Sequence, residues 1–332
     1  MHLASRRRPG RLPVACVLAL ALVTVAPQAA GAITPNRQRA LEGASYVVSE
    51  QRANGAICAF SCIGSTADAV VALVAARTAP GVVKDALAYL RRQVERGHVS
   101  GLGLRAKVAM AAVAGGANPR AFGGVNLVRS ITDVEGVDGR YADAAVFDQA
   151  LAMLALRGAG TDPSAEATDW LEAAQCDDGG WQYDAPSAPS EDEHCYDAAA
   201  TDPADFFRSD SNTTSLAIQV LRTGADVAEA LAFLPTLRDG TAGWAYTPEF
   251  TTDVNSTALV IQAYVAAGVE VPSGGFATLR QAQLDCGAWP FQPGGPDDIG
   301  GTIGAILGVL RQPLPVSPRS ATSPVPAPQP CG

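Results

Sequence analysis

The stretch LEAAQCDDGGWQYD (residues 171–184) ends a helix-like segment on a glutamine, turns through two glycines and sets a tryptophan two residues before a tyrosine. The same arrangement recurs. Leu171, Gln175, Trp181 and Tyr183 lie at offsets of 4, 10 and 12. Leu234, Arg238, Trp244 and Tyr246 repeat those offsets, and so do Leu279, Gln283, Trp289 and Phe291. Three of the four tryptophans thus fall in one pattern, L-x3-[QR]-x5-W-x-[YF], and Trp170 directly precedes the first copy. A worn copy near the start reads Tyr46, Val47, Gln51 and Ile57, with Ile57 in the tryptophan place.

Fixed-period self-similarity is the mark of a repeat architecture. Each clear copy leads into an apolar segment: SDSNTTSLAIQVLRTGA (209–225), TTDVNSTALVIQAYVAAG (251–268) and DDIGGTIGAILGVL (297–310). Comparable segments occur at 63–77, 103–116 and 147–160. Gly116 to Gly160 and Gly224 to Gly268 are both 44 residues, whereas Gly160 to Gly224 is 64. The extra length matches an acidic stretch, about 184–206, which reads as a surface insertion bracketed by Cys176 and Cys195. Each unit pairs a helix that is apolar or small on nearly all sides with a more amphipathic one such as DALAYLRRQVERG (85–97). A helix apolar all round is buried, and β-branched alternation is scarce. About six such hairpins fit between residues 33 and 312. Full burial of the inner helices favours a closed ring over an open superhelix, so the expected fold is an all-α, α/α toroid with an inner and an outer ring.

The ends have other characters. Residues 1–32 carry Arg6, Arg7, Arg8 and Arg11, an apolar run and Ala30-Gly31-Ala32, the layout of a secretory signal peptide. Its removal takes the formal charge from −9 to −13, which disfavours nucleic acid and anionic membranes as partners. The expected location is extracellular, with cell-surface attachment as a variant. Of seven cysteines, Cys16 lies in the signal segment, and six in an exported chain imply disulfides. Sequence permits 15 pairings. Local pairing joins Cys58 to Cys62, Cys176 to Cys195, and Cys286 to Cys331, with some buried free thiols as the other reading. Residues 313–332 form a Pro-rich tail expected to be extended, either a stalk or a segment tethered back by Cys331.

The run W-L-E-A-A-Q-x3-G-x-W (170–181) resembles the QW repeat of squalene and oxidosqualene cyclases. The helix openings resemble the wider terpenoid cyclase and protein prenyltransferase-like superfamily, which also includes secreted bacterial prenyltransferase/squalene-oxidase-repeat proteins. The resemblance implies an α/α toroid in which the glutamine amide bonds a neighbouring helix end and the tryptophan stacks on it. Gln175, Trp181, Arg238, Trp244, Gln283 and Trp289 are then structural clamps, with ligand stacking as the competing role for the rings. A tryptophan suits this place because it buries roughly 200 Å² and keeps an N–H to donate.

The same resemblance puts a protonating acid at the third residue of a D-x-D-D-T-A motif. The matching segments here start at Asp210, Asp253 and Asp298, but that third place holds Asn212, Asn255 and Gly300. An amide has no such proton to give. The aspartates read as helix N-caps, and these segments together form a candidate pocket or degenerate acid motif. Zinc is not expected, since His2, His98 and His194 show no ligand spacing with cysteine. Cys286-Gly287-Ala288-Trp289 departs from a thioester motif after two residues. Asp177-Asp178 and the insertion's Glu191, Asp192, Glu193, Asp197, Asp202 and Asp205 are weighed as glycosidase carboxylates or a calcium site against a solvated turn. The resulting expectation is a secreted, non-catalytic toroid without a cofactor. It would bind a small apolar molecule or a protein through its central cavity or loop face. A cyclase-like enzyme and a structural surface protein are the alternatives.

Overall fold

The computed structural model describes residues 33–185, 208–240 and 242–331. Among them are twelve α-helices: α1 (Pro35–Ser49), α2 (Cys62–Ala75), α3 (Pro80–Glu95), α4 (Leu102–Ala114), α5 (Leu127–Thr132), α6 (Val146–Gly158), α7 (Ala165–Ala173), α8 (Ser211–Leu221), α9 (Ala225–Phe233), α10 (Val254–Ala266), α11 (Gly275–Ala282) and α12 (Ile299–Val309). The even-numbered helices form the inner ring. α2 packs on α4, α4 on α6, α6 on α8, α8 on α10, α10 on α12, and α12 returns to α2. The odd-numbered helices lie outside them, giving six hairpins and an α/α toroid.

Small residues set the spacing of the inner ring. α12 carries Gly304 and Gly308, and a Cβ on Gly308 would come within 2.9 Å of the Ala258 Cα and Cβ on α10. Alanines fill the remaining seams, with Ala109, Ala111, Ala152, Ala217, Ala263 and Ala305 fully buried.

The repeated turn is a staple. Trp181, Trp244 and Trp289 are fully buried, each in the turn between an outer and an inner helix. Their backbone N–H groups donate to Thr214, Thr257 and Thr302 Oγ1 on the following inner helix, at 2.9, 3.0 and 2.8 Å. Each tryptophan also pairs across two short backbone segments with the aspartate that opens that helix, Asp210, Asp253 or Asp298. The worn copy makes the same bond, from Ile57 N–H to Thr66 Oγ1 at 2.9 Å. A fifth copy is chemically disguised: Tyr141 N–H donates to Gln149 Oε1 at 2.9 Å.

The clamp residue ties each turn to the next hairpin. Gln175 Nε2 donates to Gly179 O at 2.7 Å and to Asp226 O on α9 at 2.8 Å. Gln51 does the same toward Val82 on α3, and Arg238 toward Ser273 ahead of α11. The Arg238 guanidinium lies 5.1 Å over the Trp244 ring, so the arginine keeps both jobs of the glutamine. The turn requires a left-handed residue two places before the aromatic. Gly179 (φ +85°) and Gly287 (φ +88°) supply it against an outer-helix carbonyl that a Cβ would strike. The third copy has Ala242 there at φ 73°. Pro235 also turns the preceding segment into a 3₁₀ stretch, Leu234–Leu237, and the Trp244 indole N–H has no partner. The other two indoles donate to Leu171 O and Leu279 O.

The last staple closes the ring. Gln283 Nε2 donates to Arg39 O on α1 at 3.0 Å, and Arg39 donates back to Gln283 Oε1 at 2.9 Å. The Trp289 ring lies where a Cβ on Gly43 would be 2.5 Å away. The same turn holds the Cys286–Cys331 disulfide, and Cys58–Cys62 forms the other described bridge. Cys176 is disulfide-bonded; Cys195 and residues 186–207 of the acidic stretch lie outside the described residues. The last residues do not project as a stalk. Val316 is buried, Leu314 N–H donates to Gln219 Oε1, Thr78 Oγ1 donates to Ser323 O, and Ser45 Oγ donates to Pro326 O. A stalk needs an unanchored segment, and these bonds with the Cys331 bridge lay this one across the inner-helix C-terminal ends.

Asp210, Asp253 and Asp298 cap α8, α10 and α12, accepting from Thr213, Ser256 and Gly301 N–H at 2.7, 2.6 and 2.6 Å. Burial outweighs these donors. It pushes the Asp210 carboxyl up to about 7 and Asp253 to about 6.

Two outcomes are expected. In urea unfolding, Trp289→Phe should cost about 1 kcal/mol more than Trp244→Phe, because only the former removes an indole hydrogen bond; equal losses would contradict the staple geometry. For the caps, the unfolded carboxyls titrate near ~4, so the folded state binds these protons more tightly. Their contribution to stability is therefore present at low pH and lost as pH rises from about 4 to about 7. Asn also caps well, so Asp210→Asn with Asp253→Asn should lose less stability than the parent between about pH 5 and pH 8. Parallel stability curves would refute the assignment.

Candidate functional site

The staple determines which residues of each inner helix face the axis. With the N-cap fixed by its aspartate, the second helical residue points inward at the helix mouth. That residue is Asn212 on α8, Asn255 on α10 and Gly300 on α12, and all three line a central cavity of about 290 Å³. Phe147 occupies the same place on α6. One turn deeper come Leu151, Leu216, Leu259 and Gly304, and below them Val71, Met110, Gln262 and Leu307. Every inner helix contributes, and Leu314 closes the far end from the returning C-terminal segment.

The mouth is polar and aromatic, and the waist is aliphatic. Phe60 is 91% exposed and Phe291 46%, flanking the entrance, while Phe147 stacks on Tyr183 at 5.4 Å. Lys107 on α4 reaches Asp68 on α2 at 2.7 Å, both lining the cavity. Asp68 holds the Lys107 ammonium above its ordinary value against the opposing effect of burial. A charged ammonium is not a nucleophile. Asp148, behind Phe147, is raised by burial, with the Gly103 N–H and Lys107 pulling the other way. Asp68, Asp298 and Lys107 leave the mouth with an excess of negative charge.

The candidate residues fall into two groups. Asn212, Asn255 and Asp298 line the cavity, whereas Asp210 and Asp253 lie behind it as buried caps and do not reach it. Gln175, Trp181, Arg238, Trp244, Gln283 and Trp289 are in the turns, away from the cavity lining. Asp178 is spent on its own turn, accepting from Gly180 N–H and Ser209 Oγ. The acidic candidates from Glu191 to Asp205, with His194, lie outside the described residues. Among the described residues no group of three His, Cys, Asp or Glu is arranged to hold a metal ion, and no helix is long and apolar enough to cross a membrane. Sequence reasoning missed Asp68, Lys107, Gln262 and Leu314. The signal for the first three was a charged or amide side chain within a mostly apolar inner helix, which the neighbouring polar residues of those helices mask.

No family model and no curated protein matches the sequence. Solved structures do match its fold. Two are of the type II terpene cyclase MstE from Scytonema, one with the product merosterolic acid A and one with the substrate geranylgeranyl dihydroxybenzoate. Each has a TM-score of 0.60, at 13% and 12% identity, covering 83% of this chain and 96% and 97% of the other. A glycosidase matches with a TM-score of 0.54 at 14% identity, covering 84% of this chain and 98% of the other. Likeness at that identity is a likeness of fold, shared by enzymes of different chemistry. The chain has the α/α toroid fold that the cyclase and the glycosidase share.

Proposed function

We propose that this chain is a secreted protein that holds a small, mainly apolar molecule in the cavity on the toroid axis, without catalysing its conversion. The observation that carries this reading is the aliphatic waist of Leu151, Leu216 and Leu259 beneath a polar mouth, enclosed by all six inner helices. An apolar cavity of about 150 Å³ takes one benzene ring. The space here therefore suits on the order of a dozen non-hydrogen atoms. The non-catalytic part rests on the amides of Asn212 and Asn255, which stand where the sequence resemblance puts a proton donor. It rests also on Lys107, which Asp68 keeps charged. The two described disulfides and the signal-like residues 1–32 support export.

The alternative is a cyclase-like enzyme with a degenerate acid motif, and Asn255→Asp at the cavity mouth tests it by a gain of cyclisation. That substitution would restore the missing acid.

Native mass spectrometry of the protein from its own culture tests the binding reading. The parent should carry a bound small molecule, and Leu259→Trp, which fills the waist, should lose it while keeping its helical circular dichroism. Retention of the same mass by a folded Leu259→Trp would move the site elsewhere.

A further inference from the structure

Without residues 1–32 the chain has a formal charge of −13, yet one groove on its surface carries cations alone. The groove, of about 700 Å³, lies between α3, the C-terminal ends of α2 and α4, and the returning C-terminal segment. Arg77, Lys84, Arg91 and Arg319 line it, and no carboxylate does. None of the four makes an ion pair among the described residues. Two are held in place without being used up. Arg77 Nε donates to Ser320 O at 3.2 Å, which leaves the other guanidinium donors for a partner. The Arg91 guanidinium lies 5.3 Å over the Phe122 ring. Lys84 and Arg319 are exposed.

Two further features shape the groove. Lys84 and Arg91 are seven residues apart on α3, so they share a face and stand about 10.5 Å apart along its axis. Leu87 and Ala88 fill the same face between them. On the opposite wall, Arg77 ties down Ser320 and Thr322, while the peptide groups of Arg319 and Ala321 bond to nothing among the described residues. We propose that this groove docks an extended acidic peptide segment of a partner protein. Its carboxylates meet the four cations, its small apolar side chains cover Leu87 and Ala88, and its main chain runs along residues 319–321. This goes beyond the cavity reading and does not depend on it.

The chemistry of the walls narrows the partner. An extended chain advances about 3.1–3.4 Å per residue, so carboxylates three or four residues apart span the distance from Lys84 to Arg91. A phosphate or sulfate polymer has no apolar side chain to lay on Leu87 and Ala88, and no peptide group to pair with those of Arg319 and Ala321. Beyond the groove the acidic surface repels a long polyanion. A short acidic peptide meets the cations and little else.

Isothermal titration with two acetylated, amidated nonapeptides, three repeats of Glu-Val-Ala and three of Gln-Val-Ala, decides this. The two match in shape, and only the first is charged. At about 50 mM salt the parent should bind the Glu peptide roughly tenfold more tightly, and about 500 mM salt should shrink the preference. Lys84→Gln with Arg319→Gln removes two exposed cations that make no bond in the fold. This double variant should keep its helical circular dichroism and bind the Glu peptide about fivefold more weakly. Arg280→Gln, on α11 and outside the groove, should leave binding unchanged. Equal affinity for the two peptides, or undiminished Glu-peptide affinity in the folded double variant, overturns the groove as an acidic site. Tighter binding of a polyphosphate chain than of the Glu peptide overturns the peptide assignment. Binding of neither peptide overturns the docking itself, and each of these results leaves the cavity reading standing.

Discussion

Everything in this molecule depends on one bond made three times with tryptophan and twice with other residues: a backbone N–H in the turn donating to a side-chain oxygen near the start of the inner helix. A turn buried between two helices leaves its peptide groups without water, and each must find a partner. Thr214, Thr257 and Thr302 provide it for the tryptophans, Thr66 for Ile57 and Gln149 for Tyr141. The bond fixes the inner helix relative to its turn. The clamp residue then fixes the turn to the next outer helix. Five of the six hairpins are indexed in this way, and the ring closes because the last clamp finds α1 as its next helix.

The cavity is a consequence of that indexing. A ring of six helices cannot fill its own axis with alanine and glycine. The residues that face the axis are set by distance from the N-cap, so the lining has layers. Asparagine, phenylalanine or glycine stands at the mouth, leucine or glycine one turn down, and valine, methionine, glutamine or leucine below them. The layers differ in polarity because they differ in access to water. Lys107 and Asp68 are tolerated near the mouth as a pair in contact, where the attraction of Asp68 exceeds the effect of burial on the ammonium.

The ring was legible in the sequence wherever the staple kept its chemistry. Trp181, Trp244 and Trp289 stand out because tryptophan is rare here and the offsets repeat without a gap. The copy at Tyr141 was not legible. Its bond comes from Gln149 where threonine stands in the neighbours, and backbone geometry tolerates the exchange although a pattern does not. The site was half legible. Asn212 and Asn255 follow from their place beside a capping aspartate. Lys107 and Asp68 are 39 residues apart and meet only because α2 and α4 are neighbours in the ring. The proline content of the last residues signals extension but not direction, which is set by hydroxyl-to-carbonyl bonds from Ser45 and Thr78.

The returning segment and the ring closure share one anchor. Cys286 lies between Gln283, which reaches α1, and Trp289, which packs against Gly43. Its bridge to Cys331 therefore attaches the chain's end to the turn that holds the first hairpin to the last. Ser45 on α1 bonds the same segment at Pro326, so the closure is held from both sides of the seam. At its other end the segment places Leu314 in the cavity floor and its N–H on Gln219. The two equivalent glutamines are thus treated differently by one piece of chain. Gln219 is consumed in sealing the floor, while the amide oxygen of Gln262, one helix along, is left without a partner in the protein.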